Sequence, residues 1–154
     1  MQYNGFNSDV TALNFSFNEQ YLFAGSFAGT IIVYDLQHQK VVTTFKEHMS
    51  QCTALASPRA PTAQYIISGS TDTNVKLWDL RAKKSAHTLK SHAKPITSVD
   101  ISVDASVLVS GSQDAVVKVW EGGSGRNAHS MRHGTASITT LAFSPVEMTV
   151  ASGH

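Results

Sequence analysis

Cysteine is all but missing from this sequence: Cys52 stands alone among 154 residues. One thiol cannot build an internal disulfide framework, so a reducing compartment is expected. Charge is also scarce, at 15% of residues, and 12 basic side chains nearly cancel 11 acidic ones. That balance leaves no polybasic nucleic-acid arm and no acidic tail. No apolar run approaches the roughly 18 residues that a membrane span needs. Met1 to Asp9 lacks the apolar stretch of a secretory signal. The expected setting is cytoplasmic, with no membrane insertion and no nucleic-acid partner. No segment sustains a 3.6-residue apolar period, so amphipathic helices are not expected. The phosphate-binding Gly-Lys-Ser/Thr signature is also missing. Gly122-Gly123-Ser124-Gly125-Arg126 is glycine-rich but reads as a mobile hairpin turn.

Apolar residues make up 42% of the chain, enough for one globular core. A repeat organises them. Gly25-Ser26, Gly69-Ser70 and Gly111-Ser112 lie 44 and 42 residues apart. Tyr34-Asp35, Trp78-Asp79 and Trp120-Glu121 keep the same spacings, and histidines recur at His48, His92 and His133. A period of about 42 residues is the length of a four-stranded propeller blade.

Within each period the pattern is β. Ile31-Ile32-Val33-Tyr34, Val75-Lys76-Leu77-Trp78 and Val116-Val117-Lys118-Val119-Trp120 are β-branched and aromatic, and turn residues bound them. In the third repeat, strands are expected at about 96–102, 106–110, 116–120 and 126–131. The repeats run approximately over 9–47, 51–90, 95–131 and 137–154, the last one partial. Arg59-Ala60-Pro61-Thr62-Ala63 inserts a longer loop into the second. The expected fold is all-β: about three complete four-stranded blades plus part of a fourth. Propellers usually have 4–8 blades. The chain is therefore expected not to close alone, as a fragment or as half of an assembly.

Residues 68–79, Ser-Gly-Ser-Thr-Asp-Thr-Asn-Val-Lys-Leu-Trp-Asp, and 110–121, Ser-Gly-Ser-Gln-Asp-Ala-Val-Val-Lys-Val-Trp-Glu, resemble the signature of the WD40 β-propeller family. The resemblance covers residues 9–154. It implies a structural tetrad in each blade: His48, Ser68, Asp72 and Trp78 in the second repeat, His92, Ser110, Asp114 and Trp120 in the third. Asp would accept from His, His would bond the Ser hydroxyl, and Ser would meet the indole N–H, so every buried polar group is satisfied. The first repeat departs from this pattern, with Ala28 at the Asp position, Phe6 near the His position and Tyr34 for Trp. It is expected to be less rigid and to lie at a surface. A Ser-His-Asp set that recurs beside Trp in successive repeats is not a unique catalytic triad, and no Gly-x-Ser-x-Gly elbow is present. No enzyme activity is expected.

The His87/His92 and His129/His133 pairs fall on strands and loops, not on a helix, and no third ligand follows. No metal, cofactor or small-molecule substrate is expected. Cys52 aligns with Ile96 and Ile138 and reads as a buried strand residue. Arg81, Lys83, Lys84 and Lys90 give one repeat a basic rim, suited to an acidic protein tail such as that of tubulin. Phe27, Phe45, Met49 and Met131 lie in or near loops. They read either as protein-binding anchors, Phe27 foremost, or as packing between blades.

The finer resemblance is to the regulatory, non-ATPase subunit of katanin. Ala-Gly-Ser-x-x-Gly-Thr at 24–30, Lys-Val-Val-x-Thr-Phe at 40–45 and Asp72-Thr73-Asn74 carry it, with support from Phe143-Ser144-Pro145-Val146-Glu147. It departs at Ala56-Ser57-Pro58 and where Glu47, Ser91 and Arg132 replace glycine before the His positions. That resemblance implies a targeting module of a microtubule-severing complex at centrosome, spindle or axoneme. Its partners would be tubulin, microtubule-associated proteins or the katanin catalytic subunit. The stretch Ile67 to Arg81 also resembles the box by which some WD40 substrate receptors dock on the adaptor of cullin-RING ubiquitin ligases. There Arg81 would present a charged fork.

Overall fold

A computed structural model describes residues 5, 7–61, 64–90, 92–132, 134–144 and 149–153. Phe6, Thr62, Ala63, Ser91, His133 and Pro145 to Glu147, all used in the sequence argument, lie outside the described residues. The described residues form strands and turns alone. No helix among them is long and apolar enough to cross a membrane.

Among the described residues, fourteen strands make four antiparallel sheets. The first sheet holds β1 (Val10–Phe15), β2 (Tyr21–Ser26), β3 (Ile31–Asp35) and β4 (Lys40–Phe45) in chain order. The second holds β5 (Cys52–Ala56), β6 (Tyr65–Ser70), β7 (Asn74–Asp79) and β8 (Lys84–Lys90). The third holds β9 (Ile96–Ile101), β10 (Val107–Ser112), β11 (Val116–Glu121) and β12 (Asn127–Arg132). The fourth is a single pair, β13 (Thr140–Phe143) with β14 (Val150–Gly153). Three complete blades and part of a fourth are therefore present, as the repeat spacing implies.

The strands form here because their residues suit a sheet that is covered on both faces. In β6 and β7 neighbouring side chains point to opposite faces. Ile66 and Trp78 pack back onto the first blade, with Phe23, Ile31, Val33 and Phe45. Ile67 and Leu77 pack forward onto the third, with Ile96, Val99 and Leu108. A blade between two neighbours thus reads as a nearly continuous apolar run. The outermost strand, β12, is exposed along its whole length, and its sequence is correspondingly polar.

Glycine sets the spacing between blades. A Cβ on Gly25 would strike Cys52, one on Gly69 would strike Ile96, and one on Gly111 would come 2.6 Å from Ile138 Cγ2. Each is a seat for the first residue of the next blade or, in the last case, the residue two before it. All three seated side chains are fully buried.

Candidate functional site

The second and third blades each hold a chain of polar side chains at one end of the strands. The Asp72 carboxylate accepts from His48 Nδ1–H at 2.9 Å. The Ser68 hydroxyl donates to His48 Nε2 at 2.7 Å and accepts from Trp78 Nε1–H at 2.8 Å. In the third blade the distances are 2.9 Å for His92 to Asp114, 2.9 Å for Ser110 to His92 and 2.9 Å for Trp120 to Ser110. The aspartates also cap the turns, accepting from the N–H groups of Met49 and Asn74 and of Ala93 and Val116. No fully buried side-chain nitrogen or oxygen among the described residues lacks a partner. Ser68 and Ser110 are fully enclosed, so their hydroxyls meet no substrate.

Environment fixes the charge state of these groups. Burial pushes the Asp72 carboxyl up, but the bonds from His48, Met49 and Asn74 outweigh it and hold the group below the ordinary carboxylate range. Burial likewise opposes, and the bonds from Ala93 and His92 overcome, for Asp114, which is also lowered. Burial lowers the His92 imidazole against the pull of Asp114. Cys52, buried against the first blade, has its thiol pushed up to about 12 by desolvation and is no nucleophile.

The first blade vacates this network as a set. Ala24, Ala28 and Tyr34 occupy the positions of Ser68, Asp72 and Trp78. Removing the hydroxyl, the carboxylate and the indole together leaves no orphan, which is far cheaper than removing one. Tyr34 is buried, and desolvation raises its phenol.

The candidate partner residues separate onto two ends of the blades. Phe27, 61% exposed, sits in the β2–β3 turn at the tetrad end, and Met49, 90% exposed, lies in the segment before β5. These two segments touch, since the Gly29 backbone packs on the carbonyls of His48 and Ser50. Arg81, Lys83 and Lys84 are exposed in the β7–β8 turn and the start of β8, at the opposite end. Lys90 closes β8 about 20 Å from Lys84 at the usual strand rise, because Lys84 pairs with Asp79 and Lys90 with Asn74. The basic rim read from the sequence is thus a loop of three residues, with Lys90 elsewhere. Phe45 is also not a loop anchor: it is buried and stacks on Trp78 with ring centroids 4.6 Å apart. Gly122 to Arg126 forms the hydrogen-bonded turn from β11 to β12, closed by Gly125 N–H to Glu121 O at 2.8 Å and Glu121 N–H to Arg126 O at 2.9 Å. No cluster of His, Cys, Asp and Glu that would hold a metal is found among the described residues.

The family model for the WD domain, G-beta repeat, matches residues 1–35, 39–79 and 83–121. The chain belongs to the WD40-repeat family. Three solved structures share its WD40 fold. A chain in the "Crystal Structure of Mitotic Checkpoint Complex" superposes with a TM-score of 0.86 at 23% identity, over 97% of this chain and 47% of that one. The "Structure of U3-55K" gives 0.83 at 16% identity, over 90% and 44%. The "Crystal structure of RRP9 WD40 repeats" gives 0.83 at 17% identity, over 90% and 43%. This chain spans less than half the length of each of these proteins. No curated protein matches it by sequence.

Sequence reasoning missed a second repeating set in the WD40 blades. Thr11 donates its hydroxyl to the Cys52 carbonyl, Thr53 to that of Ile96 at 2.7 Å and Thr97 to that of Ile138 at 2.7 Å. Each staple ties the inner strand of one blade to the next. Thr11, Thr53, Thr97 and Thr139 recur at 42, 44 and 42 residues, so the spacing that exposed the tryptophans also carried this signal. Also missed was Lys76. Its buried ammonium binds Glu47 at 3.1 Å and Thr88 at 2.9 Å and lies 5.6 Å from the Trp78 ring. Glu47 thus has a structural partner.

Proposed function

We propose that this chain is a non-catalytic protein-binding platform that holds loops in fixed register for a protein partner. The observation that carries this reading is the Phe27–Met49 pair. Two large apolar side chains stand in solvent on touching loops, above a tetrad whose hydrogen bonds are complete. Exposed aromatic and methionine side chains on a rigid scaffold are typical anchors of protein interfaces. The WD40 fold supports it, since its blades present loops at both strand ends.

The finer reading is a cytoplasmic targeting module of a katanin-like microtubule-severing complex, acting at cytoskeletal sites such as centrosome, spindle or axoneme. Its support is the 24–30 and 68–79 sequence pattern and the exposed Arg81, Lys83 and Lys84, whose charge suits acidic tubulin tails. Co-sedimentation of the chain with microtubules tests it. Binding should weaken as salt rises and be lost when Arg81, Lys83 and Lys84 are replaced with Glu. Absence of binding to tubulin and to microtubule-associated proteins removes the reading. A second reading, adaptor docking in a cullin-RING ubiquitin ligase, is favoured by the position of Arg81. It borders a cleft of about 180 Å³ with Tyr65 and Gln64 and another of about 150 Å³ with Tyr21 and Leu80. Arg81→Ala should abolish adaptor pull-down, and unchanged pull-down excludes it.

A further inference from the structure

The second blade carries a polar latch separate from its tetrad. Glu47, in the segment that enters this blade, accepts from the Ser85 hydroxyl at 2.7 Å and from the Ser85 N–H at 3.4 Å. The same carboxylate accepts from the buried Lys76 ammonium at 3.1 Å. Burial pushes the Glu47 carboxyl up, but these bonds outweigh it and keep the group ionised at neutral pH. One carboxylate thus ties β7 and β8 to a segment whose next residues are His48 of the tetrad and the exposed Met49. The positions that match Ser85, opposite Tyr34 and Trp120, hold Val41 and Asn127, so neither of the other complete blades has a hydroxyl there.

Ser85 also has the surroundings of a serine kinase substrate. Arg81, Lys83 and Lys84, all exposed, precede it by four, two and one residues. No other serine or threonine of the chain has more than one lysine or arginine among the four residues before it. Basic side chains just ahead of a serine are a charge pattern that acidic kinase grooves select. β8 is the last strand of its sheet, so its outer edge pairs with no strand among the described residues. The ladder is also broken beside Ser85: Leu77 pairs with His87 and Trp78 with Ser85, which leaves Ala86 as an extra residue. A bulged strand with a free edge opens at lower cost than a strand paired on both sides.

We propose that Ser85 is a phosphorylation site for a kinase that reads basic residues, and that a phosphate there opens the Glu47 latch. The γ-phosphoryl group of ATP moves to Ser85 Oγ. Its bond to ADP breaks, a phosphate ester forms, and the hydroxyl proton passes to the kinase's base. The product places a charge of about −1.5 to −2 beside the Glu47 carboxylate. The Lys76 ammonium cannot neutralise both groups. The Lys76 side chain is 9% exposed and that of Glu47 40%, so Glu47 is the member that turns out into water and leaves the phosphate on Lys76. The entering segment then loses its tie to β7 and β8 and keeps only the tetrad bonds at His48 and Met49.

Incubation of the folded chain with Mg-ATP and the catalytic domain of protein kinase A or protein kinase C tests the site, with tandem mass spectrometry to place the phosphate. Ser85 should be modified, and Ser85→Ala should reduce uptake to background. Amide exchange of the phosphorylated chain tests the latch. The Met49 N–H, 3.0 Å from Asp72, should exchange about tenfold faster or more, as expected for the loss of a charge-assisted hydrogen bond. Amides of β6 should not change, and far-ultraviolet circular dichroism checks that the sheets persist. Glu47→Ala opens the latch without phosphate, so exchange there should already be fast and phosphorylation should add nothing. No phosphate on Ser85 from either kinase overturns the proposal, as does uptake by the heat-unfolded chain alone. Modified Ser85 with unchanged exchange at Met49, or an equal acceleration in Glu47→Ala, overturns the latch.

Discussion

At the residue scale, the tetrads are networks whose parts are worth more together than apart. Ser68→Ala strips Trp78 Nε1–H of its acceptor and His48 Nε2 of its donor, in a place water does not reach. Each orphan costs about 1–3 kcal/mol, so urea unfolding should show a loss of a few kcal/mol. The same alanine stands naturally at Ala24, where indole and carboxylate are gone too, so the cost lies in leaving partners behind. The networks also make stability depend on pH. Burial lowers the folded-state affinity of His92 for a proton, so the unfolded chain binds it more tightly and stability rises with pH. That contribution is complete above the unfolded histidine pKa of about 6.5 and is lost as pH falls below it. Asp72 and Asp114 are also lowered, so their contribution is present above about pH 4 and is lost on further acidification. The melting temperature should therefore fall from pH 8 to pH 5 and fall further below pH 4. His92→Asn should flatten the first limb, and a flat profile in the native chain would contradict the account. These tetrads were legible in the sequence because Trp, His and Asp are rare enough to stand out at a fixed spacing. Thr11, Thr53 and Thr97 repeat as regularly, but threonine is common in strands for its β-branched shape, so its hydroxyl role was hidden.

At the scale of the element, each inner strand is shaped by the blade beside it. The strand bounds expected in the third repeat differ from the observed ones by at most two residues. The largest shift is at β10, where cross-strand pairing carries the strand on to Ser112 opposite Ile96. The pairing follows the alternation of apolar residues, which the sequence displays. The three-residue basic loop and the distant Lys90 were not separable in the sequence, since they are near in number and far apart along β8. The glycine seats belong to this scale as well. Gly69→Ala drives a methyl into Ile96, an overpacking that should cost about 1–3 kcal/mol. Ile96→Ala leaves a cavity and should cost about 2–5 kcal/mol. The new methyl of the first fills part of the space vacated by the second. The double variant should therefore lose less than the two single losses added, by about 0.5–3 kcal/mol in a double-mutant cycle. Simple additivity would show that the seat is not where the two blades meet.

At the scale of the whole molecule, a blade touches only its neighbours, so stability is a sum of blade terms and joint terms. The fourth blade covers the outer face of the third: Val109 and Val117 are buried against Ile138, Leu141 and Phe143. Asp100 and Ser98 further accept from the N–H groups of Phe143 and Leu141 at 2.7 and 3.0 Å. Deleting residues 133–154 should uncover those two valines, at about 1.5–3 kcal/mol each, and release both hydrogen bonds. Amide hydrogen exchange by strand reads the result. Protection should drop in β9 to β11, which lose a neighbour, and stay unchanged in β1 to β3, two joints away. A uniform drop would mean that the blades unfold as one cooperative unit and that the nearest-neighbour description fails. The confined drop is expected because the second blade stands between the first and the third, seating Cys52 on Gly25 and Ile96 on Gly69.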